Sequence, residues 1–200
     1  MCHVKAEAHY SHWVAERAID FINHPREDGE QFCLVANFFD PHHPFGAPQE
    51  YRDQIDADAI PAPNTREGEL QNKPYQQTAY SEKSYSGTAP GFQEYTEEQI
   101  REIRAQYFAM IALIDHEVGR ILQALEAAGL AEDTLVVFTS DHGEMLGDHQ
   151  QLLKGPQLYD DLCNVPLIMR WPGQITTGSE CNELVPVSYT HLTLPTKRIV

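Results

Sequence analysis

An α/β fold, with a mostly parallel sheet flanked by helices, is what the sequence predicts, and three observations predict it. Two apolar runs, Gln31–Phe38 and Thr134–Phe138, are each short and free of charge, and polar residues follow the second abruptly. Such runs are the mark of strands buried on both faces of a parallel sheet. Between them lies a stretch of about thirty residues whose apolar side chains recur at helical spacing and which feeds directly into the second run. Helix followed by strand is the order from which parallel sheets are wound.

The elements follow in chain order. Residues 11–23 (SHWVAERAIDFIN) read as a helix, with Trp13, Val14, Arg17, Ala18, Phe21 and Ile22 at helical spacing and Pro25 beyond its end. A polar turn leads into the Gln31–Phe38 strand, in which Cys33 reads as a buried small hydrophobe. The strand exits into Asp40-Pro41-His42-His43-Pro44-Phe45, where two prolines stiffen the backbone around two imidazoles. Residues 46–95 are polar and rich in Pro, Gly, Gln and Tyr, the character of a long functional loop. Tyr75, Tyr80 and Tyr85 within it either stack on a substrate ring or pack onto the domain surface. Thr96-Glu97-Glu98-Gln99 is a capping box. It opens a helix whose stripe runs from Ile100 to Leu125 and stops at Gly129. After the Thr134–Phe138 strand come Ser140, Asp141, His142, Gly143 and Glu144, and Lys154 lies thirteen residues past Asp141. Val165–Arg170 reads as one more strand, closed by Trp171-Pro172-Gly173.

Ligands in open α/β sheets bind beyond the carboxyl ends of strands, so Asp141 and His142 emerge where chemistry is done. A carboxylate beside an imidazole suits a divalent cation, and Gly143 reads as the residue that lets the chain turn away. Lys154 is placed to return a positive charge to the same spot.

Composition narrows the classes of function. With 30 acidic against 14 basic residues the net charge is −16, which excludes a nucleic-acid or anionic-membrane partner of the usual basic kind. No stretch reaches the roughly 18 apolar residues of a membrane span. Four cysteines, Cys2, Cys33, Cys163 and Cys181, show neither C-x-x-C nor zinc spacing.

Taken together, Ser-Asp-His-Gly-Glu (140–144), Leu-Gly-Asp-His (146–149), Lys154-Gly155, Val165-Pro166-Leu167-Ile168 and the Pro41-His42-His43-Pro44-Phe45 element resemble the sulfatase family of the alkaline phosphatase superfamily. The resemblance implies that Asp141 and His142 bind a divalent metal, calcium in most of the family. It implies that Lys154 and His42 contact the sulfate, and that His42 helps protonate the leaving oxygen. His43 holds a variable position from which an imidazole can contact substrate, and Asp148 and His149 read as loop scaffolding. The implied partner is a small-molecule or carbohydrate sulfate ester.

The family's nucleophile, a formylglycine made from the Cys or Ser of C/S-x-P-x-R, has no counterpart here. The nearest stretch, Cys163-Asn164-Val165-Pro166, carries its proline one residue late. The paired aspartates of the family's first strand are absent too. The resemblance therefore covers residues 8–184 as the later part of a catalytic domain, with 46–95 as a pocket-wall insertion. This chain is expected to be an internal fragment, inactive alone, of a sulfuric ester hydrolase. Residues 187–200 read as a foreign or read-through tail. Two alternatives stand beside this reading. One is a phosphonate monoester or phosphodiester hydrolase of the same superfamily, using Mn2+ or Mg2+. The other is a non-catalytic binding protein with a decayed site.

Overall fold

The computed structural model describes residues 4–27, 30–84, 87–183 and 185; Cys2, Tyr85 and the 187–200 tail lie outside them. Its spine is the long helix α4 (Glu97–Ala127). Thr96 caps it as predicted, accepting from Gln99 N–H at 3.2 Å while the Gln99 side chain accepts from Thr96 N–H at 2.8 Å. At the other end Gly129 takes φ +71°, and Leu130 N–H reaches back to Leu125 C=O at 3.1 Å. That bond satisfies a carbonyl the helix would otherwise leave unpaired.

Helix α1 (Tyr10–Asn23) packs along α4, but on a different face from the one its large residues suggest. Ser11, Ala15, Ala18 and Ile22 are buried, whereas Trp13 is 61 % exposed and Phe21 is partly exposed. Small side chains let two helix backbones approach closely, and that closeness outweighs the burial Trp13 would offer. A charged cluster crosses the seam. The Glu117 carboxylate, almost fully buried, accepts from Arg120 Nη1 at 2.6 Å and faces His12 Nδ1 at 2.9 Å, while Arg120 also reaches Glu16. Removing one partner of a buried ionic cluster leaves the others uncompensated. Glu117→Ala is expected to lower stability by about 3 kcal/mol, and Glu16→Ala, at the exposed rim, by less than about 1 kcal/mol. Urea denaturation midpoints of the two variants check the difference.

Three apolar clusters lie along α4. Ala109, Met110 and Leu113 pack with Ala6, Ala47 and Tyr51, the last from the short helix α2 (Gln49–Arg52). Leu125 packs with Ile22 and Ala131, and Phe32, Leu34 and Val136 join them. Nearer the start of α4, Ile100 meets Leu152 and Leu153. This last contact seats the loop after the second predicted strand against the helix.

The strands depart from expectation. Strand β3 (Val136–Thr139) forms where predicted, and β4 (Leu167–Arg170) follows Pro166, which has no N–H to give a ladder. They pair antiparallel, from Val136↔Arg170 to Thr139↔Leu167. The only other ladder among the described residues is the antiparallel pair β1 (Lys83–Ser84) and β2 (Ala89–Pro90). A mostly parallel sheet is therefore not what the described residues form. The connection from β3 to β4 returns to the end it left, so the second strand must run back beside the first. Gln31–Phe38 is extended and alternates half-buried with exposed residues, but it joins no ladder. Phe32 and Leu34 face the helices, while Cys33 and Val35 face solvent. Cys33 is thus not the buried hydrophobe expected, and these segments are covered on one side by α1 and α4 rather than on both. No helix among the described residues is long and apolar enough to cross a membrane.

Candidate functional site

The loop leaving β3 folds back on itself, and that return carries Lys154 to its place. Met145 N–H donates to Leu153 C=O at 3.1 Å and Gly147 N–H to Gln151 C=O at 2.8 Å, so residues 145 and 153 face one another. Glu144 and Lys154 are brought side by side as the next pair out. The fold-back requires Gly147 at φ +99° and also Leu146, His149, Gln150 and Leu153 at positive φ. Side chains in that region cost on the order of 1 kcal/mol each, so the surroundings must hold the loop. Asn64 does so reciprocally: its N–H donates to Asp148 Oδ1 at 2.8 Å and its C=O accepts from His149 N–H at 3.0 Å. Arg104 of α4 donates to Leu146 C=O at 2.8 Å, and the His149 ring stacks on Tyr159 at 4.3 Å. Asp148 and His149 scaffold the loop in this sense.

Gly143 has another task than the turn expected of it. Its N–H donates to Leu162 C=O at 2.9 Å, and a Cβ on it would lie 1.8 Å from the Asp161 carbonyl oxygen. It is glycine because two backbones touch there. That contact presses the Asp141-His142 pair against α5 (Asp160–Cys163).

His142 Nδ1 lies 2.7 Å from Gly143 C=O. A carbonyl only accepts, so Nδ1 carries the proton and Nε2 presents its lone pair. That nitrogen is 3.6 Å from Asp141 Oδ2. Two donors at this separation can bind one divalent ion, each at the roughly 2.0–2.6 Å of ordinary metal–ligand bonds. Among the described residues no third His, Cys, Asp or Glu completes a metal-holding group with them. The pair fits a metal in kind and orientation and supplies two of the ligands it needs.

A cavity of about 600 Å³ opens beside this pair, lined by Tyr80, Thr88, His142, Lys154, Gly155, Pro156 and Leu162. Burial pulls the Lys154 ammonium below the ordinary lysine range, with the Glu144 and Asp141 carboxylates opposing the shift. Glu144 is the residue that sequence reasoning missed. Burial pushes its carboxyl up to about 7, against the pull of Lys154 and of the backbone N–H groups of Leu146, Met145 and Leu153. The signal was present in Gly-Glu-Met-Leu, an acid immediately before two side chains that must be buried.

The other predicted imidazoles sit at the end of the extended 31–39 segment. Asp40 anchors them: its buried carboxylate accepts from Ser11 Oγ at 2.6 Å and lies 3.5 Å from His9 Nδ1, at the start of α1. His42 lies against the Phe39 ring at 4.5 Å and stacks on His43 at 4.1 Å. Its Nδ1 donates to His43 C=O at 2.5 Å, leaving Nε2 as its outward nitrogen. His43 is the one whose ionisation Lys154 influences. Burial, with His42 and Lys154 as positive neighbours, brings it down to about 4 and keeps it neutral at pH 7. The structure thus joins His142 and Lys154 in one cavity and brings His43 within electrostatic reach of Lys154. His42 stands one stacked ring further back, and neither His42 nor His43 lines the cavity.

Comparison with known proteins agrees with the motifs. The sulfatase family model matches residues 3–196. The uncharacterized sulfatase YidJ of Escherichia coli is 32 % identical over 195 residues, covering 97 % of this chain and 36 % of that protein. An arylsulfatase of Clostridium perfringens is 28 % identical over 199 residues, 94 % of this chain and 39 % of its own length. Among solved structures, a phosphonate monoester hydrolase from Silicibacter pomeroyi superposes with a TM-score of 0.73 at 30 % identity, over 85 % of this chain and 34 % of that one. The chain spans between a third and two fifths of the length of these proteins. A family match over nearly the whole chain means that this chain belongs to the sulfatase family.

Proposed function

We propose that this chain supplies the metal-binding, anion-binding and leaving-group side of an enzyme that hydrolyses sulfate monoesters, small-molecule or carbohydrate. The observation that carries the proposal is the shared cavity of His142 and Lys154, with the His42–His43 stack beside Lys154. A cation and a metal-ligand imidazole facing one hollow suit a tetrahedral anion in a protein whose net charge, −16, would otherwise repel it.

Lys154 holds a non-bridging oxygen, where charge is present in the ground state and persists through the transfer. The Glu144 and Asp141 carboxylates favour the charged form of that amine, opposing the effect of its burial. His42 keeps its Nδ1–H on the His43 carbonyl, so in its imidazolium form the second proton, on Nε2, is the one given to the leaving oxygen. Neutral His43 contributes a hydrogen bond rather than a charge. Asp141 and His142 would hold the divalent ion, calcium by family resemblance, which supplies Lewis-acid stabilisation of the ester oxygens when bound. The chain contains no C/S-x-P-x-R, so no nucleophilic step is assigned to its residues.

A second reading, phosphonate monoester hydrolysis, is favoured by the structural likeness to the Silicibacter enzyme. Steady-state rates of the protein produced with its formylglycine segment, on p-nitrophenyl sulfate and on p-nitrophenyl phenylphosphonate, separate the two. Faster turnover of the sulfate is expected, and faster turnover of the phosphonate overturns the first reading. The 200-residue chain by itself is expected to leave both esters intact.

A further inference from the structure

We infer that Tyr80, with Gly155 and Pro156, forms a subsite for a flat ring on the leaving group, and that Tyr80 is a residue by which this site sorts its esters. The inference rests on the sulfate-ester reading and extends it to the other end of the substrate.

The cavity is chemically mixed. Lys154 and His142 line it together with Tyr80, Pro156 and Leu162, which supply apolar wall. Tyr80 reaches this place from the insertion, on helix α3 (Tyr75–Glu82). Its ring approaches Gly155 so closely that a Cβ there would lie 2.5 Å from Tyr80 Cε1 and 2.8 Å from Cζ, as well as 2.3 Å from Gln157 Oε1. Glycine next to Lys154 therefore leaves space that the aromatic ring and the Gln157 side chain share. An ester whose anion sits on Lys154 must lead its leaving group past that ring.

The platform is held firmly. Ser81, the next residue, is fully buried, and the Gly91 backbone packs so tightly on Ser81 and Glu82 that a Cβ there would meet their backbone atoms at 2.3 Å. Lys83 Nζ bonds Glu94 Oε1 at 2.6 Å across the same junction. A tyrosine fixed by its own helix end gives up little freedom when it stacks, which favours binding. Tyr75 on the same helix shows the contrast: it is 79 % exposed and does not line this cavity.

A phenol ring and the CH face of a pyranose are both flat and apolar enough for this wall, and direct binding distinguishes them. The 200-residue chain has no nucleophile motif, so esters can be titrated without turnover. Phenyl sulfate, glucose 6-sulfate and inorganic sulfate are titrated calorimetrically into the native chain and into Tyr80→Ala, Tyr80→Phe and Lys154→Ala. Tyr80→Ala is expected to weaken at least one ring ester about ten-fold and to leave inorganic sulfate unchanged, while Tyr80→Phe binds as the native chain does. The ester that responds identifies the ring. Equal weakening of the esters and inorganic sulfate would make Tyr80 merely structural and overturn the subsite. So would ring esters binding no tighter than inorganic sulfate to the native chain, although the anion site would then stand. Should inorganic sulfate bind the native chain and Lys154→Ala alike, the sulfate-ester reading falls, and the subsite with it.

Discussion

Lys154→Ala is expected to remove nearly all activity from the sulfatase proposed here, by about 10²–10³-fold in kcat/KM, the usual cost of one preorganised group at a developing or persistent anion. Lys154→Arg should restore little. A guanidinium is larger and planar, and does not reproduce the compact charge of an ammonium near Glu144 and Asp141. The loss can be separated from unfolding because of Glu144. Its carboxyl, at about 7, already sits near its point of half-protonation with Lys154 beside it. Without that cation its pKa moves higher still, so at neutral pH the variant holds a buried neutral acid rather than a buried lone charge. Thermal denaturation of Lys154→Ala should therefore stay close to that of the native protein while turnover of p-nitrophenyl sulfate collapses. Preserved turnover would remove Lys154 from the anion site.

What could be read in the sequence, and what could not, divides along physical lines. The α4 spine and its two ends were legible because capping and a terminal glycine are local chemistry, settled by residues three to five apart. The return of Lys154 to the Asp141-His142 end was legible as a pattern, although its cause, a fold-back through five residues at positive φ, was not. Four of those five are not glycine, and nothing local announces them. They exist because Asn64, some eighty residues earlier, pins Asp148 and His149. Strand direction was illegible for a similar reason. Periodicity states that Val136–Thr139 and Leu167–Arg170 are extended, but only the path of the connection decides that they run opposite ways. The burial of Cys33 was overcalled because an apolar run says nothing about how many of its faces are covered. In α1, size misled: Trp13 is apolar and in phase, yet the seam with α4 selects alanines.

Gly143→Ala is expected to damage the site as much as any substitution of a charged residue, with no functional group lost. The added methyl would occupy a point 1.8 Å from Asp161 C=O and 2.9 Å from its carbonyl carbon. Both are backbone atoms, so no rotamer change relieves the clash; the 140–144 segment and the start of α5 must separate. Separation breaks the Gly143 N–H to Leu162 C=O bond, at 2.9 Å, that ties them. It also displaces Leu162, which lines the cavity, and swings His142, whose protonated nitrogen is anchored on Gly143 C=O. Overpacking of this kind costs roughly 1–3 kcal/mol and the lost bond about 1 kcal/mol more. A fall in Tm of several degrees is therefore expected. Metal affinity should drop by at least ten-fold through misplacement of His142, measured by calcium titration of the protein carrying its remaining ligands. Gly173→Ala serves as the control. Gly173 sits at φ +72° with nothing within 4 Å of its added Cβ, so it is strained in backbone only and remote from the cavity. It should cost stability and leave metal affinity alone. Were the two variants to lower metal affinity equally, the close backbone approach at Gly143 would have no part in placing His142.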